Sequence, residues 1–169
     1  MKAGSTIVVL SGESGCGKTT LCAQVAALAR ARGLAVAGVL TPPRLAAGRK
    51  VGLDVADLRT GQRRPLAEAV AATDGPAWGT KILRRATPCD LLVVDELGPL
   101  ELLRGQGWTV GLDLLRAGRY RLALVVVRPE LLARLPELLD RVQPLSLTMT
   151  EVNRDAVFEQ ITALLGGDG

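Results

Sequence analysis

Residues 12–20 read Gly-Glu-Ser-Gly-Cys-Gly-Lys-Thr-Thr, a spacing that fits G-x-x-x-x-G-K-[ST]. Residues of these types in that order do phosphate chemistry. Glycines let the backbone curl until successive N–H groups point inward at oxygen atoms. A helix opening directly afterwards adds the positive end of its dipole. Lys18 then reaches the β- and γ-phosphates of a nucleotide, and the Thr19 hydroxyl is a ligand for Mg²⁺. Nucleotide binding is thus assigned to Gly12, Glu13, Ser14, Gly15, Cys16, Gly17, Lys18, Thr19 and Thr20. The context agrees. The apolar run Thr6-Ile7-Val8-Val9-Leu10 precedes the loop, and Leu21, Val25, Leu28 and Ala29 follow it at helical spacing.

A second constellation is Cys89-Asp90-Leu91-Leu92-Val93-Val94-Asp95-Glu96, an apolar strand ending in two carboxylates. An enzyme that uses such a phosphate loop needs a carboxylate at a neighbouring strand end to help hold Mg²⁺ beside the loop threonine, and Asp95 fits. Glu96 can accept a hydrogen bond from an attacking water and orient it. A solvated loop glutamate is the competing reading. Glu101, in Gly98-Pro99-Leu100-Glu101-Leu102, either shapes the site from behind or caps a helix. Arg128 follows the apolar strand Leu122 to Val127, so it emerges at the same rim as Asp95. It is either an arginine acting in cis on the developing phosphate charge or a surface residue heading the next helix.

These residues need a scaffold. Strands are expected at Ser5 to Leu10, Leu34 to Leu40, Leu91 to Val94, Leu122 to Val127 and Leu145 to Met149. Helices are expected at Lys18 to Arg32, Lys81 to Ala86, Trp108 to Ala117, Pro129 to Leu139 and Asn153 to Leu165. Fully apolar strands alternating with helices argue an α/β fold: a three-layer sandwich around a mostly parallel sheet. Arg49 to Leu58 instead alternates apolar and polar residues, and Thr60-Gly61 is a turn before Gln62 to Leu66. That piece reads as a β-hairpin insertion. Residues 72 to 80 read as loop.

The 169 residues suit one domain, residues 1–169. The chain has two Trp, one Tyr and one Phe, so its core is aliphatic. The net charge of +4 suits an anionic ligand. Nucleic acid is disfavoured as a partner, because the basic residues are scattered along the sequence and no aromatic-rich strand is present to stack bases. There is no histidine, which removes imidazole acid–base chemistry, and the three cysteines form no C-x-x-C, which argues against zinc. Sparse, odd-numbered cysteines with no leader or bilayer-length apolar run point to the cytoplasm and no membrane. Whether a protein partner exists is not readable.

The string Asp-Glu-Leu-Gly-Pro-Leu-Glu-Leu, residues 95 to 102, resembles the DEIGxMEL segment of the small P-loop nucleoside-triphosphatase family known from thermophiles and animals. Residues 48 to 61 are similar to that family's G-x-R-x-G-F-x-I-x-D-L-x-T-G hairpin, and Thr150-Glu151-Val152-Asn153-Arg154-Asp155 to its T-x-x-N-R-D segment. Pro65-Leu66-Ala67 resembles the small apolar step after the hairpin. The resemblance implies Mg²⁺-dependent hydrolysis of nucleoside triphosphates to diphosphates, slow and with loose base preference. Carried over, Lys18, Thr19, Asp95 and Glu96 keep the roles above. Arg154 becomes a candidate to stack its guanidinium on the base, or a surface arginine starting a helix. The chain departs from the family at Pro42-Pro43-Arg44-Leu45 after Thr41, in lacking an evident G-K-Y before Cys89, and in a shorter stretch from Ala67 to Asp90. A nucleotide or small-metabolite kinase is the alternative enzyme. A nucleotide-binding regulator with slow hydrolysis is the alternative outside metabolism. A guanine-reading GTPase is disfavoured, since Thr80-Lys81 runs into Ile82-Leu83 with no following Asp.

Overall fold

The computed structural model describes residues 4–68, 72–140 and 142–166. Five strands form a parallel set: β1 (Thr6–Ser11), β2 (Val36–Leu40), β6 (Cys89–Leu97), β7 (Tyr120–Val127) and β8 (Leu145–Thr148). Their order across the sheet is β2-β6-β7-β1-β8. Three antiparallel strands extend the sheet beyond β2: β3 (Pro43–Ala46), β4 (Arg49–Asp57) and β5 (Arg63–Glu68).

Side chains alternate across the sheet, so each parallel strand feeds two cores. Val8 and Leu10 of β1 and Leu91 and Val93 of β6 pack under α1 (Lys18–Ala31) and α6 (Arg154–Gly166), with Leu21, Val25 and Ile161. Ile7, Val9, Leu92 and Val94 face the other way, onto α2 (Gly75–Arg84), α3 (Pro99–Arg104), α4 (Val110–Ala117) and α5 (Leu135–Leu138). The result is the expected α/β sandwich around a mostly parallel, mixed sheet.

Four local expectations are corrected. Residues 72 to 80 are not loop beyond Asp74: α2 starts at Gly75 and runs through them. Its Gly75-Pro76 start mimics a turn, but proline is well placed in a first helical turn, where its missing N–H has no partner to lose. Gly79 is there for packing, since a Cβ on it would sit 2.6 Å from the Trp108 ring. Second, the antiparallel piece has three strands. Pro43 opens β3 rather than only ending the chain's extended run, and β3 pairs with β4 from Pro43↔Leu53 to Ala46↔Arg49. Third, the strand expected over Leu91 to Val94 is longer, running from Cys89 to Leu97, and after Gly98 the short helix α3 begins at Pro99. Fourth, Pro129 to Leu139 is a tight 3-10 segment, Pro129–Arg134, followed by the single turn α5. In the short stretch from Ala67 to Asp90, residues 69–71 lie outside those described.

Candidate functional site

The phosphate loop links β1 to α1 and turns where only glycine fits. Gly12 has φ +152° and a Cβ there would lie 2.4 Å from the Met149 carbonyl oxygen. Gly17 has φ +95° and a Cβ there would lie 2.8 Å from Arg154 Nη2. Both approaches pin the loop against the chain that follows β8. The first intrahelical acceptor of α1 is the Gly17 carbonyl, taken by the Leu21 N–H at 2.9 Å. The N–H groups of Lys18, Thr19 and Thr20 therefore have no helical partner and face the loop's concavity as anion donors. Lys18 Nζ donates to the carbonyls of Gly12 and Glu13, each at 2.7 Å. Its ammonium is folded across the loop at the place where phosphate oxygens would compete for it.

Beside the loop, Asp95 is 1% exposed. Its Oδ2 accepts a bond from Thr19 Oγ1 at 2.8 Å and one from the Thr41 N–H at 3.1 Å. Burial pushes its carboxyl above the usual range. The bonds from Thr41 and Thr19 pull it back, and the nearby Glu96 charge pushes it further up. A hydroxyl and a carboxylate held this close form a hard oxygen pair. The sheet makes the pairing, because β1, β2 and β6 end at one rim.

The register of β6 against β7 shifts between Asp95 and Leu97, so Glu96 is an extra residue opposite the Val126–Val127 step. Such a bulge re-aims a side chain at a strand end. Glu96 Oε1 accepts from Arg128 Nε at 2.9 Å, with side-chain exposures of 31% and 54%. β7 lies between the strand that carries the loop and the strand that carries Asp95. Arg128 therefore leaves the sheet between them, as its position after an apolar strand foretold.

All of these groups open on one cleft of about 1000 Å³. Gly12, Glu13, Ser14, Gly15, Gly17, Lys18, Thr19, Thr20, Asp95, Glu96 and Arg128 line it. Of the residues singled out from sequence, Cys16, Glu101 and Arg154 do not. Cys16 is buried under the loop. Arg154 Nη2 donates to the Cys16 carbonyl at 3.0 Å, so its guanidinium sits against the back of the loop. Asn153 fixes the start of α6 by donating from Nδ2 to the Thr148 carbonyl and accepting from the Thr150 N–H. Of the two readings of Glu101, the cap describes its contacts. Its Oε2 accepts from the Gly98 N–H at 2.9 Å and its Oε1 from the Trp108 N–H at 3.0 Å.

Sequence reasoning missed the opposite wall. Pro43, Lys50 and Leu53, from β3 and β4, line the cleft across from the strand ends. Lys50 was legible only as one polar residue of an alternating strand. Its direction depends on β3, which went unrecognised behind Pro42-Pro43.

The arrangement can bind a polyphosphate, hold a divalent cation at a hydroxyl–carboxylate pair, and place a carboxylate and a guanidinium near the far phosphate. The model of the family described as NTPase matches residues 7–162. The nucleoside-triphosphatase THEP1 of Thermofilum pendens is 32% identical over 167 residues, covering 90% of this chain and 91% of that protein. The THEP1 nucleoside-triphosphatase of Thermococcus kodakarensis is 28% identical over 169 residues, with 89% of each chain covered. Among solved structures, a human cancer-related nucleoside triphosphatase superposes with a TM-score of 0.74 at 24% identity, over 97% of this chain and all of that one. THEP1 from Aquifex aeolicus gives 0.68 at 18% identity, over 96% of this chain and all of that one. These two likenesses speak for the fold.

Proposed function

The chain belongs to this NTPase family and is a hydrolase of nucleoside triphosphates; on that premise we propose that it cleaves the β–γ phosphoanhydride in a Mg²⁺-dependent reaction with broad base acceptance. The observation that carries the reading is the Thr19–Asp95 pair at 2.8 Å beside the loop, with Glu96 and Arg128 on the adjoining strand ends.

The donor set fits Mg²⁺. Thr19 and Asp95 offer two hard oxygens, and among the described residues no group of three or more His, Cys, Asp or Glu side chains could cage a metal. Mg²⁺ is the ion that accepts few protein ligands and takes the rest from phosphates and water. Thr19 and Asp95 would hold it, and when bound it supplies neutralisation of charge on the β- and γ-phosphate oxygens. Lys18 exchanges its loop carbonyls for phosphate oxygens. The N–H groups of the loop and of the first turn of α1 stabilise the same charge. Glu96 accepts a hydrogen bond from the water that attacks in line, and Arg128 holds the Glu96 carboxylate in place. The nucleoside diphosphate and phosphate are released.

Broad base acceptance rests on where polarity lies. Most of the cleft's charged groups gather at the loop and strand ends. On the remaining walls Pro43, Leu53 and Pro129 are apolar, and Lys50 and Glu130 are the charged side chains, with no Asn or Gln amide among the lining residues to read a base edge. No helix among the described residues is long and apolar enough to cross a membrane.

The test is phosphate release from ATP, GTP, CTP and UTP with Mg²⁺ and with EDTA, for the wild type, Lys18→Ala and Glu96→Gln. Release from all four, abolished by EDTA and by either substitution while Glu96→Gln still binds nucleotide, supports the reading. Release that survives EDTA, or turnover of one base only, overturns the metal or the base statement respectively.

A further inference from the structure

A second concavity lies on the α2 side of the sheet. It holds about 330 Å³ and shares no lining residue with the phosphate cleft. Small-molecule sites run from about 300 to 1,000 Å³, so it can take a compact ligand. Ala37 and Gly38 of β2 form part of its lining, and α2 and the β4–β5 turn bring the rest.

Its charges are one-sided. Arg59, Lys81 and Arg85 line it against a single carboxylate, Asp57. That carboxylate is already committed to its own turn, since Oδ1 accepts from the Arg59 N–H at 2.8 Å and Oδ2 from Thr60 Oγ1 at 3.1 Å. Arg59 is partly committed too, donating to the carbonyls of Arg85 and Ala86 at 2.7 and 3.1 Å. This contact satisfies carbonyls just beyond the C-terminal end of α2, so capping that end does not by itself require Lys81 and Arg85. Neither of those two side chains has a hydrogen-bond or ion-pair partner among the described residues. They sit four residues apart on one helix face, where like charges repel. Trp78, about one turn before Lys81 and two before Arg85, lines the same cavity. Its ring is braced by Arg64, whose guanidinium lies 4.7 Å from the ring centroid and is itself paired with Asp74. Three basic residues, Arg59, Lys81 and Arg85, are thus gathered by the fold around one cavity beside the Trp78 ring.

We propose that this cavity is a second ligand site, which takes a small phosphorylated molecule of nucleotide size. Lys81 and Arg85 bind the phosphate groups, Arg59 adds charge from the turn, and Trp78 supplies apolar surface for the organic part. The cavity's modest volume of about 330 Å³ favours a small molecule over a nucleic-acid strand.

The experiment is calorimetric titration of the full chain with ADP, repeated in Lys18→Ala and in the double variant Lys81→Gln/Arg85→Gln. Glutamine keeps the helix propensity of α2, and circular dichroism checks the fold. Two ADP per wild-type chain are expected, with one remaining in the double variant and one in Lys18→Ala. In Lys18→Ala, ADP and pyrophosphate should both quench tryptophan emission, adenosine should not, and tenfold more salt should weaken binding at least tenfold. One ADP per wild-type chain, or two retained in the double variant, overturns the proposal. So does binding of a single-stranded oligonucleotide that the double variant loses while no second ADP site exists. Basal phosphate release is unchanged in the double variant, so failure here is separate from failure of the hydrolase reading.

Discussion

The two halves of the sheet differ in which of their charges are left without a bonded partner. At the ends of β1, β6 and β7, ionic groups are held by partners within the fold: Lys18 by two carbonyls, Asp95 by Thr19 and Thr41, Glu96 by Arg128. In the antiparallel half Arg44, Arg59 and Arg64 are bonded as well, but Lys50 of β4, and Lys81 and Arg85 at the end of the α2 helix packed on this half, stand exposed on concave surfaces with no partner among the described residues. The parallel strands are buried on both faces, and a charge at their ends is tolerable only when it is bonded. The start of β4 and the end of α2 are open to water, so Lys50, Lys81 and Arg85 remain hydrated and available. Preorganised groups suit chemistry, which needs fixed geometry, whereas hydrated cations suit capture of an anion from solution.

The sharpest way to break this contrast is the Glu96–Arg128 pair. Glu96→Gln should lower kcat by about 10²-fold or more, within the range for a lost general base. Arg128→Ala should lower it by about tenfold to 10²-fold, because Arg128 is proposed to act by holding Glu96. The double variant should then turn over no more slowly than Glu96→Gln alone, since the pair acts as a unit. Steady-state kinetics on the three variants decides. Losses that multiply would mean that Arg128 acts on the phosphate independently, and the paired-charge account of the parallel half would fail.

The next effect concerns stability in the other half. Gly79→Ala introduces a Cβ 2.6 Å from the Trp108 ring, which also donates from Nε1 to the Pro76 carbonyl. Overpacking of this kind costs about 1–3 kcal/mol. Thermal unfolding should show a lower Tm with phosphate-loop chemistry intact once the protein is folded. An equal loss in specific activity at a temperature where the variant is folded would show that α2 and the strand ends are not separable.

The same contrast explains what the sequence could and could not disclose. The placement of the loop and of Asp95 is legible because it follows from local or topological signals: glycines at fixed offsets, a carboxylate at the end of an apolar strand. Arg128 was legible for the same reason. Arg154 reads from the sequence either as a candidate to stack on the base or as a surface arginine starting a helix; its contacts in the structure are with the loop, at Cys16 and Gly17. A pattern places an arginine near the loop but does not say on which side. α2 was hidden because Gly75, Pro76 and Gly79 are turn residues by type, and only the Trp108 contact reveals why glycine is needed there. β3 was hidden by its prolines. The gathering of Arg59, Lys81 and Arg85 depends on α2 lying across the β4–β5 turn, a tertiary fact with no signal in spacing.

Lys50 sharpens the comparison with the smallest effect. It reaches the phosphate cleft from the hydrated half, so it belongs to one region by position and to the other by use. An exposed ammonium with no partner among the described residues, at the open start of β4, is not fixed well enough to stabilise a transition state selectively. It should instead attract the triphosphate equally in the ground and transition states. Lys50→Ala should therefore raise KM about three- to tenfold with kcat nearly unchanged, the signature of lost uniform binding. The effect should shrink at high salt, where screening already removes most of the attraction. Lys50→Arg should restore KM, because charge rather than fork geometry is what the residue supplies. A fall in kcat with KM unchanged would place Lys50 among the preorganised groups. The hairpin would then be part of the catalytic frame, and the division between a bonded half and a hydrated half would stop short of the cleft itself.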